Sequence, residues 1–342
     1  MKGILSILGC AALLMIAVSS FSQEKETHKK PSCCTYVSPS LPPVGIMGDH
    51  HHHKGGWMAS YRYKSTSMTG LQNGTKEVSE SSVLQNHMMS PISMDMQGHM
   101  VGVMYGLSRL VTVMAMMPYM RMNMDMKTGM GMTTAMSSSG LGDLKITSIV
   151  EIWRQQNTIL LGNIGVSLPT GSIDQRGDML MGENLLLPYT MQLGSGSVGM
   201  LTSFTFSHTM DKLTLGLQYN GNVRLNNNDK DYRLGNLHNL NLWTAFKPNQ
   251  WISAAIRLNA AKTGEIDGMA TELNMMMSPL NNVANSGRSV VNGNVGINIY
   301  PQIHQLENHV IGVEFGTPLY QETTGTQMIN NNTLTLGWQY SF

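Results

Sequence analysis

Apolar and polar side chains change places at every second position along most of the chain after Trp57. Trp57, Ala59, Tyr61 and Tyr63 alternate with Met58, Ser60, Arg62 and Lys64. Leu213, Leu215, Leu217 and Tyr219 alternate with Thr214, Gln218 and Asn220, and Val291, Val295, Ile297 and Ile299 with Asn292, Asn294 and Asn298. A β-strand sends successive side chains to opposite faces, so each such run predicts a strand with one apolar face. About 12 runs of this kind occur, the last of them Leu334, Leu336, Trp338, Tyr340 and Phe342. Many are near or above the ~9–11 residues that a tilted strand needs to cross a bilayer.

The connections alternate in length. Those near residues 107, 155, 210, 248 and 304 are short, and those at 65–92, 127–140, 171–195, 226–234, 262–288 and 321–332 are longer. Short turns on one side and long loops on the other are the pattern of an outer-membrane barrel. A soluble sandwich or propeller also alternates but does not predict that rhythm. The expectation is an all-β fold: a transmembrane antiparallel β-barrel of about 12 strands over residues 57–342, preceded by an irregular N-terminal extension. Lys or Arg facing lipid at the midplane costs roughly 2–4 kcal/mol. The parity carrying Asp143, Lys145, Glu151, Arg224, Arg257 and Glu314 is therefore expected to face the lumen.

Within that pattern, Ser93 to Met126 stands apart. Met94, Met96, Met100 and Met104 share one parity before a tight turn, and Met114, Met116, Met120, Met122, Met124 and Met126 share it after. The other parity carries Val101, Val103, Val111 and Val113. If the β-branched face meets lipid, the methionine comb lines the lumen and runs to the external mouth.

Charged residues make up 13% of the 342, against roughly 25% in typical soluble domains. The formal net charge of +1 gives no reason to expect a nucleic-acid partner. Met1 to Ser22 reads as a secretory signal peptide: Lys2, an apolar core, then Ser20-Phe21-Ser22 as a small-x-small cleavage site. Residues 23–56 are rich in charge, Pro and Ser without periodicity. They read as a periplasmic or lumen-plugging extension. Cys33 and Cys34 are adjacent, and neighbouring Cα atoms ~3.8 Å apart fall short of the usual disulfide span of ~4.4–6.8 Å. After residue 22 no apolar run is long enough for a spanning helix, so entry into a membrane requires a closed barrel.

Two groups of side chains suit soft-metal chemistry. Asp49, His50, His51, His52 and His53 concentrate imidazole nitrogen, a ligand for copper, zinc and nickel. The methionine comb offers thioether sulfur, a soft donor for Cu(I), and a ladder of weak sites could hand an ion along. The competing readings are a solvated loop for the histidines and an adaptable apolar lining for the methionines. Gly194-Ser195-Gly196-Ser197-Val198-Gly199 fits a dinucleotide fingerprint but leads into a strand, not a helix. No serine shows a nucleophile elbow, so no enzyme is expected; a lipid-modifying barrel enzyme is the remaining alternative of that class.

Several motifs in order resemble a known family. They are Gly45-Ile46-Met47-Gly48-Asp49-His50, Lys54-Gly55-Gly56-Trp57-Met58 with Ser60-Tyr61-Arg62-Tyr63, Ser138-Ser139-Gly140-Leu141-Gly142-Asp143, Leu168-Pro169-Thr170-Gly171, Leu193-Gly194-Ser195-Gly196 and Pro318-Leu319-Tyr320-Gln321. Residues 44–342 thereby resemble the outer-membrane transporter family named for the meta-pathway of phenol degradation, in its methionine-rich Gram-negative members. The resemblance implies an outer-membrane barrel with a transport role and carries no catalytic residues. The sequence thus predicts a channel in a Gram-negative outer membrane, with lipid around it. Trp338 to Phe342 resembles the signal read by outer-membrane assembly machinery. The lumen is expected to bind or pass copper or another soft metal; the alternative is uptake of small hydrophobic or aromatic organics.

Overall fold

The computed structural model describes residues 41–342 apart from 180, 181 and 305; the signal-peptide and Cys33–Cys34 readings lie outside the described residues. Eleven elements close into a ring. They are β1 (Trp57–Gly74), β2 (Met89–Gly106), β3 (Val111–Thr128), β4 (Leu144–Gln155), β5 (Thr158–Leu168), β6 (Gly199–Met210), β7 (Leu213–Arg224), β8 (Leu237–Phe246), β9 (Ile252–Thr263), β10 (Arg288–Ile299) and β11 (His309–Ser341). Each pairs antiparallel with the next, and β11 returns to β1 in register from Met58↔Ser341 to Gly74↔Thr323. Closure leaves no free sheet edge in the ring. Two-residue turns follow β4 and β6, with Gln156 at φ 45° and Asp211 at φ 47°, the left-handed conformation that matches strand twist in tight hairpins.

The ring holds 11 elements where alternation predicted about 12, and the difference lies at its last member. The apolar runs on either side of 321–332 read as two strands with a loop between them. The backbone stays extended throughout and makes one element of 33 residues. Its first half pairs with β10 up to Arg288↔Thr323, and its second half runs back along β1. Gly325, at φ 67°, sits at the reversal, and Gln321 and Asn330 hydrogen-bond across the two halves. The polar stretch after Ser65 is likewise strand up to Gly74, and Thr133–Leu141 forms a further strand paired with the outer half of β3. Polar side chains hid these extensions because a ladder of backbone hydrogen bonds does not require apolar faces. β1, β2 and β3 therefore run 18 residues each, well beyond the ~9–11 that span a bilayer.

Alternation separates an oily outside from a mixed inside. Val101, Val103, Ile164, Phe204, Leu242, Ile256, Val295 and Phe315 are all exposed on the outer face. An apolar band this continuous is matched by lipid, not water. Aromatic rings gather at the short-turn end, where Trp57 packs 4.6 Å from Tyr105 and stacks on Phe342, as expected at a membrane–water boundary. Inside, Met58, Met104, Met114, Ile149 and Leu161 pack together toward the short-turn end. A larger cluster at the long-loop end joins Met89, Met94, Met122, Met124, Met126 and Met136 to Leu71, Leu187, Met191 and Met328. The long loops carry a third cluster of their own, around Leu186, Tyr189, Tyr232 and Leu273.

Candidate transport lumen

The inner surface has two chemically different walls. The first comes from β1, β2 and β3. All ten comb methionines lie on its inner parity: Met94, Met104, Met114, Met122, Met124 and Met126 are buried, and Met96, Met100, Met116 and Met120 are half-buried. Register sets their sulfur-bearing side chains side by side. Met94 faces Met124, Met96 faces Met122 and Met104 faces Met114. One rung runs across four strands as Met68, Met94, Met124 and Met136; directly opposed residues have Cβ atoms ~4.5–5.5 Å apart. Met68, Met89, Met191 and Met328 join the outer cluster although the comb did not include them. Met68 shares the parity of Met58 and was findable. Met191 lies in a 3₁₀ turn and Met328 beside a chain reversal, where periodicity carries no signal.

The second wall comes from β7 to β10 and is built of amides. Asn259 Nδ2 donates to Asn241 Oδ1 at 2.9 Å, and Asn292 Nδ2 to Asn259 Oδ1 at 3.2 Å. Asn220 Nδ2 donates to Gln218 Oε1 at 2.8 Å. Arg257 is set into this wall, donating to Asn241 Oδ1 at 2.7 Å and paired with Glu314, which is 2% exposed. Cross-linked amides satisfy one another, and the half-buried ones keep spare donors and acceptors for a solute.

Residues 41–53 cross this interior in irregular conformation, held by inward-facing side chains. Arg62 donates to the carbonyls of Val44 and Ile46 at 3.0 and 3.1 Å. Gln218 donates to Met47 O at 2.8 Å, Asn163 to Gly48 O at 3.0 Å, and Asn298 to Pro42 O at 3.0 Å. His52 N donates to Thr112 Oγ1 at 2.8 Å. The strands that hold the segment, β1, β3, β5, β7 and β10, are spread around the ring. Its backbone polar groups need these partners because the segment forms no ladder of its own.

The histidine run is splayed along this segment. His50 Nδ1 lies 3.1 Å from Asp49 Oδ1, and His51 Nε2 lies 3.2 Å from Glu151 Oε2, which also holds Arg154. The rings of His50 and His52 meet edge to face at 5.2 Å, and His53 is exposed. Burial opposes charge on His50, but Asp49 outweighs it by charge and hydrogen bonding and holds the imidazole above its ordinary value. Burial, then the neighbouring histidines, push His52 down to about 3. Among the described residues, no group of three or more His, Cys, Asp or Glu is placed to hold a metal ion. Asp49 and His50 to His53 are thus not gathered into one nitrogen–oxygen site.

Above the ring the loops are tied by charge. Arg176 and Lys230 both reach Asp174 and Glu272, at 2.5–3.1 Å. Hydrogen bonds from Arg176 and Lys230 hold both carboxyls below their usual range. Loops 171–195, 226–234 and 262–288 are thereby joined.

No protein-family model and no curated protein matches the sequence. Among solved structures, the crystal structure of an outer membrane channel from Pseudomonas putida F1 is similar at TM-score 0.61 and 15% identity, covering 89% of this chain and all (100%) of that one. The transport unit of the autotransporter AIDA-I from Escherichia coli is similar at TM-score 0.46 and 12% identity, over 87% and 93% of the two chains. A FadL homologue from Pseudomonas aeruginosa is similar at 0.41 and 8%, over 84% and 90%. The first likeness identifies the fold as that of an outer-membrane channel barrel. At TM-scores below 0.5 the other two add no detail.

Proposed function

We propose that the chain is a non-enzymatic channel of a Gram-negative outer membrane that admits small organic molecules of apolar or aromatic character. The observation that carries this reading is the thioether wall. Between the closed clusters around Met94 and Met124 and around Met104 and Met114, the half-buried Met96, Met100, Met116 and Met120 leave a flexible, polarizable apolar surface open to the lumen, and methionine adapts to irregular guests. Residues 41–53 act as the constriction at the periplasmic end, and Phe342, exposed and stacked on Trp57, is available to assembly machinery. The test is influx of labelled toluene into proteoliposomes containing the full mature chain. Influx above protein-free vesicles is expected; equal rates defeat the reading.

A second reading is favoured by the four-methionine rung Met68, Met94, Met124 and Met136. Sulfur atoms gathered from separate strands are suited to a soft ion such as Cu(I), and unlike packing this use depends on sulfur itself. Titration of the folded barrel with Cu(I) tests it, with Met94, Met96, Met122 and Met124 changed to Leu. Leu keeps the volume and removes the donor. Unchanged Cu(I) uptake in the variant defeats the metal reading and leaves the organic one standing.

A further inference from the structure

Charge inside the barrel is almost entirely spoken for. Arg257 is committed to Glu314 and Asn241, and Arg62 to the carbonyls of Val44 and Ile46. Arg224 donates to Ser195 Oγ at 3.0 Å and lies 3.7 Å from Asp143. Arg288 donates to Asn330 and to the Met328 carbonyl. Two cations break the rule. Lys64 continues the inner parity of Met58, Ser60 and Arg62 in an unbroken register with β2 and β11, and its side chain is exposed. Lys145, half-buried, continues the inner parity of Thr147 and Ile149 and pairs with Met116.

Neither ammonium has an ion pair or a hydrogen-bond acceptor among the described residues. The anions that act on them are already engaged: Glu314, near Lys64, by Arg257, and Asp143, near Lys145, by Ser195 and the Gly171 amide. An unpaired ammonium in a confined lumen is costly unless water or an anion meets it. Lys64 is exposed on the inner parity of β1, so an anion in the lumen can reach it. Between the two lysines, on β2 and β3, stand Met100, Met116 and Met120, so the ammonium groups flank an apolar surface.

We propose that Lys64 and Lys145 form an anion-reading element, and that the preferred solute is a small organic carboxylate whose apolar body lies on the methionines while its charge passes from one lysine to the other. This rests on the channel reading above and narrows its cargo from apolar organics to apolar-bodied anions. A bare inorganic anion would meet the lysines but gain nothing from the thioethers. An apolar cation would meet the thioethers and be repelled.

The full mature chain in proteoliposomes is tested with four probes: labelled benzoate, toluene, benzylamine and inorganic phosphate. Benzoate is expected to enter at least about tenfold faster than benzylamine or phosphate, the scale of one lost charge-assisted hydrogen bond. The double variant Lys64→Gln with Lys145→Gln should lower benzoate influx about tenfold and leave toluene unchanged. Lys64→Arg with Lys145→Arg, which keeps both charges, should restore it and controls for misfolding. Benzoate influx unaffected in the Gln variant, with toluene still entering, overturns the inference and spares the channel reading. Lysine-dependent benzoate entry without toluene entry sustains the inference for anions and defeats the reading of the channel as a path for neutral apolar organics. Entry of neither overturns both.

Discussion

A single buried side chain shows what the thioether lining does for stability. Met124 is 1% exposed at the middle of the four-methionine rung. Met124→Leu keeps its volume and is expected to cost under ~1.5 kcal/mol, whereas Met124→Ala opens a cavity and is expected to cost about 2–5 kcal/mol. Denaturant unfolding of the refolded barrel in lipid vesicles measures both. His52 supplies the pH-dependent residue. Its imidazole is pushed down to about 3 when seated and returns to ~6.5 when released. Between those values the released segment binds a proton that the seated one does not, so seating weakens as pH falls below ~6.5. His50 works in the other sense: its tie to Asp49 is fully present below ~6.5 and is lost as pH rises from there through the raised value of the seated imidazole. Where the larger shift of His52 dominates, hydrogen exchange of residues 41–53, corrected for intrinsic rate, should be faster at pH 5 than at pH 7, and His52→Gln should shrink or reverse the difference, because the opposite contribution of His50 remains. The inward direction of Met122 and Met124 was legible in the sequence on one condition, that the β-branched face carrying Val101, Val103, Val111 and Val113 meets lipid, and the exposure of Val101 and Val103 on the outer face meets it. The partners of His51 and His52 were not, since Glu151 and Thr112 are distant in sequence and the segment that meets them has no period.

Among the elements, the segment 41–53 and strand β11 carry the consequences that alternation alone could not supply. Gly45 rests on the Arg257–Glu314 pair so closely that a Cβ there would collide with both side chains. Gly45→Leu should lift the segment from the wall and raise single-channel conductance in planar bilayers, as should deletion of residues 41–53. An unchanged conductance in both would show that the segment is not the constriction. That residues 41–56 are irregular could be read from composition. Their place inside the ring could not, because it depends on side chains from five strands converging on carbonyl groups. The same limit explains β11: polarity at 321–332 indicates distance from lipid, not the end of backbone pairing.

For the whole molecule, the decisive quantity is which face meets oil. Val295 is 57% exposed on the outer face of β10, and Val295→Arg is expected to destabilise the barrel by roughly 2–4 kcal/mol if it lies at the midplane. Asn292→Arg, on the inner face of the same strand, should change stability much less. Vesicle unfolding of the two variants checks the assignment of inside and outside directly. The barrel class was legible because alternation recurs over nearly 290 residues, from 57 to 342; no single strand would have sufficed. The reciprocal clasp between Trp57 and Phe342, whose amides donate to each other's carbonyls at 3.0 and 2.9 Å, bears on how the ring is made. Until His309–Ser341 is in place, β1 and β10 both present bare rows of amides and carbonyls, the template on which foreign strands dock. A chain whose last strand has yet to dock therefore keeps two open edges, and slowing that docking is expected to divert it to aggregates and proteolysis.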